Sequence, residues 1–297
     1  MWEILDHVRF EFYIRKKDLH VLREKFHIAV PTAFHQDESL NIESTIAHIK
    51  RLQNEGITSV LVSGSTGEQH SLSMSEKLEL INRLNAEETL LNEMEILFGV
   101  AAVRQKEAEK IAIKISDTNL AGILLGFPPY VLPTQEEALT SAKTIIHLSQ
   151  KPTIIYNNPK RTGFDLSIES IVELSKHELV IGIKEAGAKE KVDQLKRKIK
   201  RKDFYYYAGG EQELAEKIAL GYNRISSIAG NIAPQMIRQW FFDLLEQNAI
   251  DPRTQEEIQS ILHQVYQGSP LVNIKNYLNG MGLDMGICRS PLGNTEI

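Results

Sequence analysis

Lys184 is the side chain with the most specific potential for chemistry in this sequence. It closes the apolar run at 180–183, and because side chains alternate along a strand, Gly182 shares its face and leaves room beside it. Burial disfavours a charged amine, so its pKa falls and a neutral amine becomes available to attack a carbonyl. An ion pair with Glu185, or an amine that reaches solvent, accounts for the same pattern, and the strand alone leaves these interpretations open.

Two tyrosines and one arginine stand in comparable places. Tyr156 lies at the end of a second apolar run, where a phenol can pass protons, and Tyr130 follows another run behind two stiffening prolines. Arg161 lies in a turn rich in Asn, Pro and Gly, where a guanidinium can grip a carboxylate through two parallel hydrogen bonds. A core tyrosine or a surface arginine is the alternative for each residue taken alone.

The segment Gly64-Ser65-Thr66-Gly67-Glu68 is a candidate anion-binding turn. Two glycines and two hydroxyls before a helix expose backbone N–H groups to an anion, and the hydroxyls offer a proton relay. No Gly-Lys-Ser/Thr follows, so the segment is not a phosphate-binding P-loop. A plain tight turn is the alternative.

All of these residues follow short apolar runs that alternate with longer segments of helical spacing. Such continuous runs suit strands that are buried on both faces, as in parallel sheets. The predicted strands are 27–31, 57–63, 95–102, 120–126, 152–157, 179–184, 203–208 and 223–229. The predicted helices lie near 39–55, 74–91, 104–117, 134–150, 167–176, 190–200, 211–220 and 233–247, with two more near 253–267 and 269–282.

Eight strand–helix pairs predict an α/β fold of the (β/α)8 TIM-barrel type with a C-terminal helical appendage. A barrel places its active site at the carboxyl ends of its strands, which is where the candidate residues stand. The rival fold, a doubly wound open sheet, usually carries Gly-x-Gly-x-x-Gly after its first strand. This chain has Pro31-Thr32-Ala33-Phe34 there, which favours the barrel.

The composition favours small-molecule chemistry over binding of nucleic acid. The 297 residues are 42% hydrophobic with a formal net charge of -5, a balance that gives no reason to expect nucleic acid as a partner. No apolar run approaches the roughly 20 residues that cross a bilayer, so no membrane partner is expected. Cys288 is the only cysteine, which suits a reducing cytoplasm, and the nine scattered histidines lack metal-ligand spacing, so we expect neither metal nor cofactor.

Taken together, these motifs resemble the dihydrodipicolinate synthase / N-acetylneuraminate lyase family, and the synthases most closely. The resemblance is specific because the motifs stand in the order and spacing of the family over about 28–292. The motifs are Gly64-Ser65-Thr66-Gly67-Glu68, Tyr156-Asn157-Asn158-Pro159 with Arg161-Thr162-Gly163, and Gly182-Ile183-Lys184-Glu185.

The resemblance implies roles for four residues in the reaction. Lys184 matches the lysine that forms a Schiff base with a 2-oxo acid such as pyruvate. Tyr156 matches the tyrosine that shuttles protons and hydrogen-bonds the bound acid. Ser65 and Thr66 match the pair whose backbone N–H groups hold the carboxylate, and Ser65 also matches the relay hydroxyl.

Four further positions match residues around the site. Tyr130 matches the tyrosine that reaches across a dimer interface into the neighbouring site, so the resemblance implies a homodimer or homotetramer. Arg161 matches the arginine that binds the carboxylate of the aldehyde substrate. Gly209 and Ser226 fall where the backbone of the family lines the pocket.

Three segments are expected along the chain. Residues 1–26 form an N-terminal extension of unknown role, 27–250 the catalytic barrel, and 251–297 the C-terminal helices. Because few residues follow Leu292, the last helix of the family is expected to be shortened or absent.

The resemblance implies a lyase with a class I aldolase-type mechanism. The leading hypothesis is the condensation of pyruvate with aspartate semialdehyde, as in 4-hydroxy-tetrahydrodipicolinate synthase, or the reaction of a close paralogue. The alternative is a 2-oxo-acid aldolase or dehydratase for a sugar acid or related substrate, which Ser65 favours and Arg161 opposes, since the synthases usually have Thr and Arg. A non-catalytic paralogue is a third hypothesis, which the presence of Lys184, Tyr156 and Tyr130 opposes.

Overall fold

The barrel predicted from the alternation of strands and helices is confirmed. A computed structural model describes residues 22–293, so most of the expected N-terminal extension lies outside the described residues. Eight parallel strands pair in chain order, and the last strand closes on the first. The strands are β1 (Phe26–Ala29), β2 (Ser59–Val62), β3 (Glu95–Val100), β4 (Gly122–Gly126), β5 (Thr153–Asn157), β6 (Val180–Glu185), β7 (Tyr205–Ala208) and β8 (Arg224–Ser227).

Helices separate the strands, and two more follow the barrel as the predicted C-terminal appendage. Within residues 22–293 the helices are α1 (Ile42–Asn54), α2 (Met74–Asn85), α3 (Glu88–Glu93), α4 (Gln105–Ser116), α5 (Gln135–Ser149), α6 (Pro159–Thr162), α7 (Ile168–Leu174), α8 (Lys191–Lys198), α9 (Leu214–Leu220), α10 (Pro234–Glu246), α11 (Pro252–Tyr266) and α12 (Pro270–Gly280), and a 3-10 helix spans Ala229–Asn231. None of the helices in this part of the chain has the length and apolar character that a bilayer span requires.

Apart from shifts of one to three residues at helix ends, the helices differ from the sequence-based expectation in three places. The helix expected near 74–91 is two helices, because Glu87 leaves the helical backbone at φ -88 and ψ 67. The helix expected from 211 begins at Leu214, because Glu213 adopts a left-handed backbone with φ 53 and leaves Glu211 in a turn. The turn expected after β5 contains the short helix α6, whose first residue is proline, a residue well suited to that position.

The interior of the barrel is packed with both apolar and polar side chains. The polar ones include His27, whose ring lies 5.5 Å from that of Tyr207, and Lys184, which donates a hydrogen bond to Ser226. The interior is therefore filled below the carboxyl ends of the strands, as in other TIM barrels, and the space for a substrate lies above it. The apolar cluster consists of Leu22, Ala29, Leu61, Leu97, Leu124, Ile154, Ile181 and Tyr207.

Candidate active site

A cavity of about 480 Å³ opens at the carboxyl ends of β2 to β5. The pairing of β5 with β6 sets Tyr156 directly beside Lys184, because these two residues are partners in the register of the parallel strands. The walls come from the strand ends and the loops that follow them. Among the residues that line the cavity are Ser65, Lys77, Tyr130, Tyr156, Asn158 and Arg161.

The Lys184 amine is buried next to Tyr156, one of the residues that line the cavity. Its side chain is part of a residue only 7% exposed, and Nζ donates a hydrogen bond to Ser226 Oγ at 2.9 Å. Nζ also lies 4.7 Å from the centroid of the Tyr156 ring. Burial lowers the pKa of Lys184 below its usual value, which increases the fraction of neutral, nucleophilic amine.

Glu185 does not pair with Lys184, although the sequence left that interpretation open. Its carboxylate turns to the other face of β6, where it accepts hydrogen bonds from Asn157 Nδ2 at 2.8 and 3.0 Å and from the Gly187 N–H at 2.6 Å. On the inner face, a Cβ on Gly209 would lie 3.4 Å from Lys184 Cε, so the glycine lets β7 approach the lysine closely. The geometry therefore favours the buried amine over the ion pair.

The surroundings of the Tyr156 phenol favour proton exchange, because they lower its pKa. Asn158 Nδ2 donates a hydrogen bond to its hydroxyl oxygen at 2.6 Å. Burial acts to raise the pKa of Tyr156, but the positive charge of Lys184 and hydrogen bonds with Asn158 and Ser65 outweigh it and hold that pKa below the usual value. A phenol beside an amine, linked to a serine hydroxyl, can give and take protons at a carbonyl bound between them.

The turn that follows β2 is held in a tight conformation. Its last residue, Glu68, has a left-handed backbone with φ 51, and the Gly67 carbonyl accepts a hydrogen bond from Thr32 Oγ1 at 2.7 Å. A Cβ on Gly67 would come within 3.0 Å of the backbone nitrogen of Ser63, so this position has no room for a larger residue. Within the turn, Thr66 is buried, whereas Ser65 is half-buried and lines the cavity.

Of the predicted site residues, Ser65, Tyr130, Tyr156 and Arg161 line the cavity. Lys184 and Ser226 do not line it but lie next to Tyr156, since Lys184 Nζ is 4.7 Å from the centroid of the Tyr156 ring and donates a hydrogen bond to Ser226 Oγ. Tyr130 stands apart: it lies at the rim with a left-handed backbone of φ 68 and is 90% exposed.

Two residues that were not among the predicted site residues, Asn158 and Lys77, also belong to this region. Asn158, two residues after Tyr156, orients the phenol, and the short spacing was the signal that could have found it. Lys77 is buried on α2 and donates hydrogen bonds to Gln69 Oε1 at 3.3 Å and the Ala101 carbonyl at 3.2 Å, although a lysine in a helix gives no such signal in sequence. Among residues 22–293, no cluster of three or more His, Cys, Asp or Glu side chains is arranged to hold a metal ion.

Comparison with known proteins identifies the family. The family model described as the dihydrodipicolinate synthetase family matches residues 24–296. The chain belongs to the dihydrodipicolinate synthetase family. This confirms the resemblance of its motifs, and since relatives in the family are lyases, the chain is an enzyme of the lyase kind.

Individual relatives match over nearly their whole length. A 4-hydroxy-tetrahydrodipicolinate synthase from Methanococcoides burtonii is 28% identical over 266 residues, which cover 89% of this chain and 90% of the relative. The crystal structure of dihydrodipicolinate synthase from Aquifex aeolicus superposes with a TM-score of 0.81 at 23% identity and covers 93% of each chain. YagE, a prophage protein of the dihydrodipicolinic acid synthase family from E. coli K12 solved in complex with pyruvate, has a TM-score of 0.78 at 21% identity, with 92% of this chain and 93% of YagE covered.

Proposed function

We propose that this protein condenses pyruvate with aspartate semialdehyde through a Schiff base on Lys184, as a 4-hydroxy-tetrahydrodipicolinate synthase or a close paralogue. The observation that carries the proposal is the buried Lys184 amine, which donates to Ser226 Oγ at 2.9 Å and lies 4.7 Å from the Tyr156 ring. A neutral amine beside a phenol is the arrangement that imine formation needs.

The first half of the reaction uses pyruvate alone. The Lys184 amine forms a C–N bond with the carbonyl carbon, and the carbonyl oxygen takes up protons through Tyr156 and leaves as water. The product is an iminium cation on Lys184, and loss of a methyl proton converts it to an enamine. The backbone N–H groups of Ser65 and Thr66 would hold the pyruvate carboxylate, as anions are held at other turns of this kind.

The second half consumes the aldehyde. The enamine carbon forms a C–C bond with the aldehyde carbon, whose oxygen takes up a proton. The amino group of the semialdehyde then attacks the iminium carbon, closes the ring and displaces the Lys184 amine. Arg161 is the group available to bind the carboxylate of the aldehyde, because it is an exposed cation in the wall that also contains Tyr156.

The oligomer and the compartment are part of the same proposal. Tyr130, Val131 and Leu132 are exposed together beside the cavity, and such an apolar patch suits an interface between copies of the chain. A homodimer or homotetramer would cover this patch and bring Tyr130 to a neighbouring site. A cytoplasmic location agrees with the single, buried cysteine at position 288.

Reductive trapping tests the proposal directly. The protein is incubated with pyruvate and sodium borohydride, and the adduct is located by mass spectrometry of peptides. We expect one adduct, on Lys184, and none on Lys151, a second buried lysine whose pKa is also lowered by burial but whose Nζ donates to the Thr118 carbonyl at 2.6 Å. The variant K184A should form no adduct, and absence of an adduct in the wild-type protein would overturn the proposal.

An acceptor assay separates the synthase from its alternative. Consumption of pyruvate that depends on aspartate semialdehyde and falls on replacement of Arg161 by Ala supports the synthase reaction. Cleavage or dehydration of sugar-derived 2-oxo acids, with aspartate semialdehyde inert, would assign the chain to the aldolase or dehydratase alternative.

A further inference from the structure

Glu211 is a buried carboxylate at the carboxyl end of the barrel for which the reaction steps above give no role. The residue is only 1% exposed and lies in the turn between β7 and α9. It follows Gly209 by two residues, and Gly209 is the position at which β7 approaches Lys184 Cε. Burial of a carboxylate is costly unless it is hydrogen-bonded, so its presence here calls for a physical reason.

Three hydrogen bonds join Glu211 to the end of β8. Its Oε1 atom accepts from Ser227 Oγ at 2.6 Å, from the Ile228 N–H at 2.9 Å and from the Ala229 N–H at 3.1 Å. Ser227 is the direct neighbour of Ser226, which accepts the hydrogen bond from Lys184. Glu211 therefore fixes the backbone from which the hydroxyl partner of the lysine projects.

The charge of Glu211 is not cancelled by an ion pair within the described residues. Its side-chain partners there are hydroxyl and backbone N–H groups, and the Tyr266 hydroxyl donates to Oε2. The negative charge of Glu211 acts to raise the pKa of both Lys184 and Lys217 against the lowering effect of burial. The carboxylate thus stabilises positive charge at Lys184.

Other charged or titratable groups face Lys184 from the elements packed around it. Tyr156 on β5 acts to raise the pKa of the lysine, and Arg161 on α6 acts to lower it. His27 on β1 is buried close enough for Lys184 to lower its pKa, and burial already holds that pKa well below the usual value, so His27 is neutral near pH 7. Glu211 is therefore the carboxylate whose charge opposes Arg161 at the amine.

We propose that Glu211 is a positioning residue of the Schiff-base reaction, which holds Ser226 against Lys184 and balances the positive charge of the iminium that forms there. The inference rests on the proposed function. It gives the turn after β7 a role beyond the close approach of Gly209 to Lys184, namely to supply the charge of Glu211. When water leaves the pyruvate adduct, the nitrogen of Lys184 becomes a permanent cation in a buried place. A fixed carboxylate whose charge acts on this nitrogen stabilises the cation without reorganisation.

The test is the pH dependence of an exchange reaction that needs only pyruvate. Exchange of the pyruvate methyl protons with deuterium, followed by NMR, reports imine and enamine formation, and the acid limb of its kcat/KM profile reports Lys184 in the free protein. In E211Q the amide can still accept from β8, but the charge is gone. We expect the acid midpoint to move to lower pH by up to about one unit and kcat to fall by up to about tenfold, because one unit of pKa is tenfold in the stability of the cation.

Two further variants separate charge from structure. E213Q removes the same charge from the same turn, but Glu213 is exposed and pairs with Lys189 at 2.9 Å, so its midpoint should match the wild type. E211D keeps the charge with poorer hydrogen-bond geometry, so its midpoint should stay near the wild type even where stability falls. A purely structural role predicts lower activity for both E211Q and E211D without any shift of the midpoint.

The outcomes distinguish this inference from the proposed function. An unchanged midpoint in E211Q overturns the inference while exchange and borohydride trapping in the wild type still support Lys184. If E211Q does not fold, a clear downward shift in E211D overturns the inference, because that variant keeps the charge. Absence of both exchange and trapping in the wild-type protein would remove the proposed function and, with it, this role for Glu211.

Discussion

Two buried glutamates, Glu68 and Glu211, join the carboxyl end of the barrel to the C-terminal helices in different ways. Glu68 follows β2 and forms an ion pair with Lys275 of α12, at 2.7 Å between Oε1 and Nζ, with both side chains almost fully buried. Glu211 follows β7 and receives a hydrogen bond from Tyr266 of α11. The first carboxylate is neutralised by a cation, and the second is solvated by neutral donors.

The difference matters because each glutamate supports a different part of the site. Glu68 ends the turn that carries Ser65 and Thr66, so a neutralised carboxylate fixes the turn without adding net charge next to a carboxylate substrate. Glu211 supports Ser226 beside Lys184, where positive charge develops and a net negative charge is useful. The same helical appendage thus contacts the turns after β2 and β7 and gives each turn a different electrostatic environment.

Removal of the cation beside Glu68 should have the largest effect on stability. In K275M the buried Glu68 carboxylate would lose its counter-ion, and breaking a buried pair in this way costs about 3–5 kcal/mol of unfolding free energy. Unfolding by denaturant measures this loss of free energy. The double variant E68Q/K275M should recover most of the loss, since it removes both charges. If K275M and E68Q/K275M are equally destabilised, then packing around Lys275, and not its charge, stabilises the contact with Glu68.

Acid pH should lower the stability of the protein through His48, which contacts the 3-10 helix that is hydrogen-bonded to Glu211. His48 on α1 is buried, and its Nε2 atom contacts Asn231 Oδ1 at 2.8 Å in the 3-10 helix whose Ala229 N–H bonds to Glu211. The Asn231 amide nitrogen donates to the Ala29 and Ile228 carbonyls, so Oδ1 faces the ring and the neutral His48 donates from Nε2. Burial lowers the pKa of His48 from 6.5 to about 4.

The sign of the effect follows from proton binding. Between pH 6.5 and about 4 the unfolded chain binds a proton on His48 that the folded protein does not, so stability falls as the pH falls through this window and levels off below it. The contribution reaches roughly 3 kcal/mol. In H48Q, which keeps a donor for Asn231, unfolding free energy measured at several pH values should fall less steeply across the window. Identical slopes in the two proteins would contradict the prediction.

The fold could be predicted from the sequence because its pattern is local, whereas the links between the glutamates and the helices could not. Apolar runs and their spacing define eight strands, and the residue at each strand end defines Lys184 and Tyr156 as candidates. Tyr266 contacts Glu211 across 55 residues, and in sequence it is one more apolar position of an amphipathic helix. The break before α3 has no Gly or Pro to mark it, so only tertiary packing reveals it.

The smallest expected effect concerns the neutral partner of Glu211. Y266F removes the hydroxyl that donates to Oε2, and a hydrogen bond to a charged group contributes about 1.5–3 kcal/mol, so a loss of about 2 kcal/mol of unfolding free energy is expected. Y277F is a matched control on α12, since the Tyr277 hydroxyl has no hydrogen-bond partner among the described residues, and it should change little.

A double-mutant cycle decides whether this hydrogen bond depends on the charge of Glu211. If it does, the cost of Y266F should shrink by about 1 kcal/mol in the E211Q background, because hydrogen bonds between neutral groups are weaker than those to a carboxylate. If Y266F and K275M lose equal amounts of unfolding free energy, the two glutamates do not differ as expected, because Glu211 would then depend on Tyr266 as strongly as Glu68 depends on Lys275. If Y266F changes the unfolding free energy by almost nothing, the three hydrogen bonds from the end of β8 are sufficient to hold the buried, charged Glu211 in place.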